Sequence, residues 1–565
     1  MKPFFSLFKL VLYTFIFFGI FNSSFAKISK FNSDAKNISN YFSGLVSFDN
    51  FDYKETQRFL KKLDDTKDGN KKYSQILLHS LVNLQKYDEA YKYSKKLEKK
   101  KQLNYESNLF LGLKEFKNQN YKVASNYFEN LEPNNGHEMV FEILIDSLKF
   151  WTKIVESKNP NDIKLLKSRR PGYENLIIIQ KAFANCFLET SNTEKEFNSI
   201  LNNEKFNFSR YNFFISSYFF NKKKNKEAID IINSASKKYD GNLLINQFKR
   251  VLINGEKNKN IFICQNSSDI LAEIFYIIGN VLSSQENFRL SNFYVNLSKF
   301  LNPNFLSYDT LLAENYTILK KNDIAKKIHK NLFKVGTVYK WYSAKQITRI
   351  MDDEKNNNSE KFLSEIYKSI NPGVYEKFDF ANFLRNKENY EESIKLYSEI
   401  LLIIEKEDKL YAEVLERRGM ALERNNNWEE AEKDLIESLN IKPNDAYVMN
   451  YLAYSWIEKN LNIDEALTML RKANNLKKNN GYITDSLGWA LFKSKYFVEA
   501  KKYLEMAIIL MPRDPIINDH YADCLWMNNQ KIQARYYWNN VLNLDKADEE
   551  LKTKVKRKIL FGLEI

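Results

Sequence analysis

Glycine and proline are scarce in this chain, at 15 and 9 of 565 residues. A fold of many strands and tight turns needs more of both, so the scarcity favours helices joined by short polar turns. Cysteine is scarcer still: Cys186, Cys264 and Cys524 lie far apart, are odd in number and form no CxxC or Cys/His cluster. That pattern offers neither a metal site nor a redox pair, and the three thiols read as buried small apolar side chains that do not define the fold. The four histidines, His79, His137, His329 and His520, show no metal-ligand spacing. HExxH, the phosphate-binding P-loop, the GxSxG elbow and the dinucleotide glycine fingerprint are all missing. His520 adjoins Asp519, but neighbours on a helix point about 100° apart and do not face each other. The chain therefore reads as a non-enzyme with no cofactor and no metal.

What is present is ample apolar material, 44% hydrophobic and 15% aromatic, enough to bury a large core. The net charge is +15, mostly from lysine interleaved with Glu and Asp. Such a pattern is a solvated surface rather than an arginine-rich patch, and no nucleic-acid partner is expected.

Lys2 and Lys9 precede an apolar stretch at residues 10–21, too short for a bilayer that takes roughly 20 residues. It suits the core of a secretory signal, with Ser24-Phe25-Ala26 as a small-x-small cleavage site. Cleavage after Ala26 is expected, placing the body in the periplasm or cell envelope. The alternative is an uncleaved inner-membrane anchor starting near Leu7, and with it a membrane association.

The body repeats itself with a helix-turn-helix period of about 34 residues, the tetratricopeptide repeat (TPR) period. Gly419 is the small residue of a first helix, Ala431 opens the second, Leu435 and Ser438 follow and Pro443 ends the unit. The next units read Ala453/Ala466/Leu470/Ala473, then Gly488/Ala500/Leu504/Ala507/Pro512, then Ala522/Ala534/Trp538/Val541. Upstream the spacing persists at Ala381/Ser393/Tyr397, Ile347/Ser359/Leu363, Ala313/Ala325 and Gly279/Ser291/Ser298/Pro303, with a longer step absorbed at 405–409. Ala90/Ser94/Leu97, Gly112/Ala124/Phe128 and Ser216/Ala228/Ile232/Ala235 form further units. Between Pro133 and Asn175 the period is lost, and Arg169-Arg170-Pro171-Gly172 reads as a turn. The expected fold is all-α, a TPR-type solenoid winding as a right-handed superhelix. Its expected organisation is a signal peptide at 1–26, divergent repeats at 27–270, TPR-like repeats at 271–410, well-defined repeats at 411–546 and a capping helix at 547–565, with regularity from about Phe275 onward.

Three strings are more specific than the repeat: Asn450-Tyr451-Leu452-Ala453-Tyr454-Ser455-Trp456, Gly481-Tyr482-Ile483-Thr484-Asp485-Ser486-Leu487-Gly488-Trp489 and Pro512-Arg513-Asp514-Pro515-Ile516-Ile517-Asn518-Asp519-His520. They resemble the exported TPR proteins of alphaproteobacteria. They are also similar to the C-terminal part of the TPR lipoprotein adaptors that partner carboxy-terminal processing proteases. The resemblance covers roughly residues 411–544 and implies an envelope scaffold that positions other proteins. A lipobox cysteine, which those adaptors carry, is absent here.

In a TPR stack the first helices line the inner face, and residues three before, one after and four after the small residue project from it. That rule selects Asn450, Tyr454 and Ile457, then Asp485, Trp489 and Phe492, then Asp519, Asp523 and Trp526, with Tyr447, Tyr482 and Ile516 one turn earlier. Amide or carboxylate followed by aromatic suits the backbone of an extended peptide. Set beside it is a packing role, in which the tryptophans fill between helices and the aspartates cap helices or bond the adjacent repeat. The expected function is a non-catalytic scaffold or adaptor holding a protein or peptide, an envelope protease or assembly factor among the partners. The alternative is a structural subunit of an envelope assembly.

Overall fold

The computed structural model describes residues 35–63, 71–132, 138–167 and 173–563. The signal expected at 1–26 and the turn expected at Arg169-Arg170-Pro171-Gly172 lie outside the described residues. Among the described residues the regular structure is helical, and the single antiparallel bridge pairs Asn260 with Phe305. Two compact units, Met1–Ser369 and Ile370–Ile565, divide the chain, parting inside the 271–410 stretch that the period treats as one block.

The first unit opens with the hairpins α1 (Ala35–Asp49) and α2 (Tyr53–Leu60), α3 (Lys71–Asn83) and α4 (Tyr87–Lys99), and α5 (Tyr105–Lys117) and α6 (Tyr121–Glu129). A long helix, α7 (Glu138–Ser157), interrupts them. Pairing resumes with α8 (Glu174–Phe187) and α9 (Thr193–Leu201), then α10 (Ser209–Asn221) and α11 (Asn225–Lys238), followed by the lone α12 (Leu243–Asn254). The unit ends with α13 (Ser267–Ser284) and α14 (Phe288–Leu301), α15 (Asp309–Ile318) and α16 (Asn322–Leu332), and α17 (Thr337–Asp353) and α18 (Ser359–Lys368).

The second unit is unbroken. Its pairs are α19 (Val374–Asn386) and α20 (Tyr390–Leu401), α21 (Tyr411–Arg424) and α22 (Trp428–Ile441), and α23 (Ala446–Lys459) and α24 (Ile463–Leu476). Then come α25 (Gly481–Lys493) with α26 (Phe497–Leu510), α27 (Pro515–Met527) with α28 (Lys531–Leu542), and a closing α29 (Glu549–Phe561). The fold is an all-α solenoid of the TPR type.

Asp445, Asn480 and Asp514 start α23, α25 and α27 by accepting from amides of the first turn, which satisfies donors that a helix end leaves open. Each hairpin turn then carries a non-glycine residue with positive φ. Phe51, Gln85 and Gln119 mark the first three, Glu189 and Lys223 the next two, and Glu286, Lys320, Lys355, Glu388, Asn426, Asn460, Lys495 and Asn529 the rest. That conformation lets the chain close the helix behind it: Lys495 N bonds the Phe492 carbonyl and Tyr496 N the Leu491 carbonyl, each at 2.9 Å, a Schellman-type stop. The backbone therefore carries the period from Phe51, well before the Phe275 onset read from side chains. Gly44, Thr56 and Leu60 are the small and large positions of that first unit, with Gly44 packed against Leu60.

Within a pair, small residues set the approach. A Cβ at Gly419 would stand 2.9 Å from Leu435 Cγ, and one at Gly488 would stand 2.6 Å from Leu504 Cγ. Ala431, Leu435, Ala453, Ala466, Leu470, Ala500, Leu504, Ala522, Ala534 and Trp538 are all fully buried. Each buried leucine of this set contributes about 2 kcal/mol.

The first unit is not an open stack. α14 lies on the opening hairpins across some two hundred residues of sequence: Tyr87 donates to the Asn296 carbonyl at 2.8 Å, and the Tyr105 and Tyr294 hydroxyls are 3.1 Å apart. His79 stacks on Phe293 with ring centres 4.0 Å apart. The Asn296 amide also donates to Asn83 at 3.2 Å. The chain's own aromatic helix thus packs across these repeats.

Cys186, in α8, and Cys264, just before α13, form a disulfide with Cα atoms 5.9 Å apart. This corrects the reading of three separate thiols that leave the fold unconstrained. Two are joined across 78 residues, and Cys524 is a buried free thiol. Linear spacing could not show the pair, because the fold brings the two segments together.

Candidate functional site

The first helices α23, α25 and α27 present equivalent positions in four rows. The outermost row is Tyr447, Tyr482 and Ile516, which are 54%, 55% and 45% exposed. Each stands two residues past its helix cap, so the capped first turn holds an apolar side chain out in water. Lys477 lies over the Tyr447 ring at 5.8 Å.

The second row is Asn450, Asp485 and Asp519. Asp485 is buried, and its Oδ2 meets Nδ1 of His520 on α27 at 2.9 Å. Its Oδ1 has no hydrogen-bond partner, and neither does the buried Oδ1 of Asn450. In the third row the Trp489 indole donates to Glu458 at 2.7 Å and stacks on His520 at 3.9 Å and Phe492 at 5.0 Å. Tyr454, half-buried, has its hydroxyl pushed up by burial and then by Glu458 and Asp485, so it stays a proton donor. Burial pushes the His520 imidazole down, but the Asp485 charge and hydrogen bond, with Asp519 and Asp523 behind them, raise it above its ordinary value.

The last repeat meets the closing helix. Lys558 Nζ lies 2.8 Å from both oxygens of Asp519 and 2.9 and 2.8 Å from those of Asp523. The Trp538 indole donates to Asp523 at 3.0 Å. Trp526 packs beside Trp538, 5.4 Å between ring centres, and directly against Gly562.

The ten residues selected from sequence therefore fall into three groups. Tyr447 and Tyr482 are exposed; Asn450, Tyr454, Trp489, Phe492 and Trp526 are half-buried; Asp485, Asp519 and Asp523 are buried and bond a neighbouring helix. Ile457, placed on this face by the same rule, is buried in the core instead. His520, Glu458 and Lys558 were missed as members of the site. The repeat register holds a signal for the first: His520 follows Asp519, the equivalent of Asp485 one repeat earlier. Among the described residues no group of three or more His, Cys, Asp or Glu could hold a metal ion, and no helix is long and apolar enough to cross a membrane.

No protein-family model matches the chain, and no curated protein matches it. Solved structures do. The chain is similar to MamA (residues 41 to the end) from Desulfovibrio magneticus RS-1, at 15% identity over 31% of this chain and 97% of that one, with a TM-score of 0.27. It is similar to Pseudomonas aeruginosa PilF at 18% identity over 34% of this chain and 85% of that one, with a TM-score of 0.29. YrrB, described as a TPR protein with an unusual peptide-binding site, matches at 15% identity over 34% of this chain and 97% of that one, with a TM-score of 0.27. The likeness is one of fold.

Proposed function

We propose that the second unit is the working surface of a protein-binding scaffold, holding an extended partner segment across its first-helix face. The observation that carries this is the pair of unfilled buried acceptors, Asn450 Oδ1 and Asp485 Oδ1, at equivalent positions one repeat apart. Each lies one turn along its helix from an exposed tyrosine, Tyr447 or Tyr482. An unpaired buried acceptor costs about 1–3 kcal/mol, which a partner's backbone N–H would recover. The tyrosines add flat apolar contact with a polar tip. Because Asp519, Asp523 and much of Asp485 are already engaged by Lys558 and His520, the face reads a partner's backbone more than its charge.

In this reading the chain acts by holding and not by catalysis, and it does so in the cell envelope after export. The Cys186–Cys264 disulfide supports that location, since disulfides persist in oxidising compartments and are rare in the cytosol. The C-terminal resemblance adds the class of partner, an envelope protease or assembly factor.

In-cell crosslinking and pull-down of the full chain beside a Tyr447→Ser/Tyr482→Ser/Ile516→Ser variant tests the proposal. These side chains are exposed, so the variant keeps its helical circular dichroism. Loss of the same one or few envelope proteins from the variant's eluate is the expected result. Matching eluates would reject this face as the binding surface.

A further inference from the structure

A cavity of about 930 Å³ opens in the first unit between the loops after α1 and α3 and the helices α14 to α16. Its volume is that of a small-molecule site. Five lysines and four carboxylates line it, and their pairing is uneven. Lys299 holds Asp309, and Lys326 holds Asp323 at 3.4 Å and Glu354 at 3.0 Å. Asp52 is spent on capping α2, accepting from the Glu55 amide at 3.1 Å. Lys54, Lys320, Lys321 and Lys327 have no carboxylate at ion-pair distance among the described residues. Lysines elsewhere on this unit are often paired, as Lys61 and Lys86 are with Glu89 and Lys224 is with Glu194.

Two uncharged groups of the same wall also lack partners. The Tyr53 hydroxyl and Asn296 Oδ1 are buried without a hydrogen bond, on residues only 4% and 2% exposed. Most buried polar atoms in native proteins are paired, so two orphans beside one cavity ask for a missing partner. Burial drives the Tyr53 hydroxyl well up, with Tyr316 adding to the rise and Arg289 opposing it, so it keeps its proton and can donate it. Asn296 Oδ1 can only accept. An occupant must therefore bring several anionic oxygens for the lysines, one of them within reach of Tyr53, and a hydroxyl for Asn296.

We propose that this cavity binds a small soluble polyanion that also carries hydroxyl groups, the chemistry of a phosphorylated sugar. The lysines meet its charge through ammonium–oxygen hydrogen bonds, the strong kind. The two orphan atoms then fix its orientation.

Titration calorimetry of the full chain with fructose 1,6-bisphosphate at low salt is the test. The Lys320→Gln/Lys321→Gln/Lys327→Gln variant is expected to bind about tenfold or more weakly. A control variant, Lys195→Gln/Lys226→Gln/Lys257→Gln, removes as much charge from exposed sites away from the cavity and is expected to bind within about twofold of wild type. Tyr53→Phe deletes only an unpaired hydroxyl; it is expected to keep the melting temperature while weakening binding about fivefold. Equal losses in the two lysine variants, wild-type binding by Tyr53→Phe, or no saturable binding to the wild-type chain would each overturn the proposal. So would binding to phosphatidylglycerol vesicles with none to the sugar bisphosphate, since that would make the lysines a lipid-headgroup surface.

Discussion

The ammonium of Lys558 stands 2.8 Å from each carboxylate oxygen of Asp519, on a helix one repeat away. The same ammonium reaches Asp523, so one cation serves two buried acids. α29 packs Leu551, Val555 and Ile559 into the core of the second unit, and Lys558 ties it to α27.

Lys558→Ala leaves two buried carboxylates without their cation. The second unit is expected to lose about 3 kcal/mol, read as a lower urea midpoint for that unit by circular dichroism. Adding Asp519→Asn and Asp523→Asn removes the stranded charges and is expected to restore most of the loss. A variant with only the lysine replaced that melts like wild type would show that the pair contributes nothing.

Stability of the second unit should fall as pH rises from mildly acidic to mildly alkaline. Burial, and then the neighbouring Asp519, push Asp523 up to about 6 in spite of Lys558. His520 is raised because Asp485 outweighs burial. Both groups bind their proton more tightly folded than unfolded. Their contribution is full below the unfolded values, about 4 for Asp and 6.5 for His, and is lost as pH passes through the folded values. The expected outcome is a higher melting temperature at pH 5.5 than at pH 8. Asp485→Asn removes the largest of the contributions that raise His520, leaving only the charges of Asp519 and Asp523 against burial, and should shrink that residue's share of the slope.

Reduction is expected to weaken the first unit. A bond closing a loop of 78 residues stabilises by about 4 kcal/mol in the chain-entropy model. Dithiothreitol, or Cys186→Ala with Cys264→Ala, should lower the melting temperature of that unit. Alkylation of the unfolded, unreduced protein should label Cys524 alone. Three labelled thiols would sink the disulfide and the support it lends to export.

The left-handed turn residues offer stabilisation that the chain does not use. Lys495 and Asn529 hold φ of 64° and 62°, where a side chain costs roughly 1 kcal/mol that glycine does not pay. Lys495→Gly should therefore raise the urea midpoint slightly, and Asn529→Gly less, since asparagine tolerates this region better. A drop in both would show that the side chains make contacts worth more than the strain.

Most of the repeat could be read from side chains, because the contact that defines a hairpin is local. Gly488 and Leu504 lie sixteen residues apart, and any chain that folds both helices brings them together. Gly44, Thr56 and Leu60 obey the same spacing but sit in a lysine-rich, degenerate stretch, so their signal was lost among neighbours that do not repeat. The candidate face was legible in its positions and not in its state. The register put Asp485 and Asp519 one turn along their helices from Tyr482 and Ile516, yet nothing local said which cation each would meet.

By itself, then, the sequence determined the helical hairpins, their period and the rows of side chains that the first helices share, since short-range volume matching and helix geometry settle these within one repeat. Only the tertiary structure decided which of those rows stay open. α14 covering the opening hairpins, Cys186 joined to Cys264, and Lys558 seated on Asp519 and Asp523 each join side chains more than thirty residues apart. Many lysines, aromatics and thiols could have served equally by type, and the choice among them was made by where the folded chain passes.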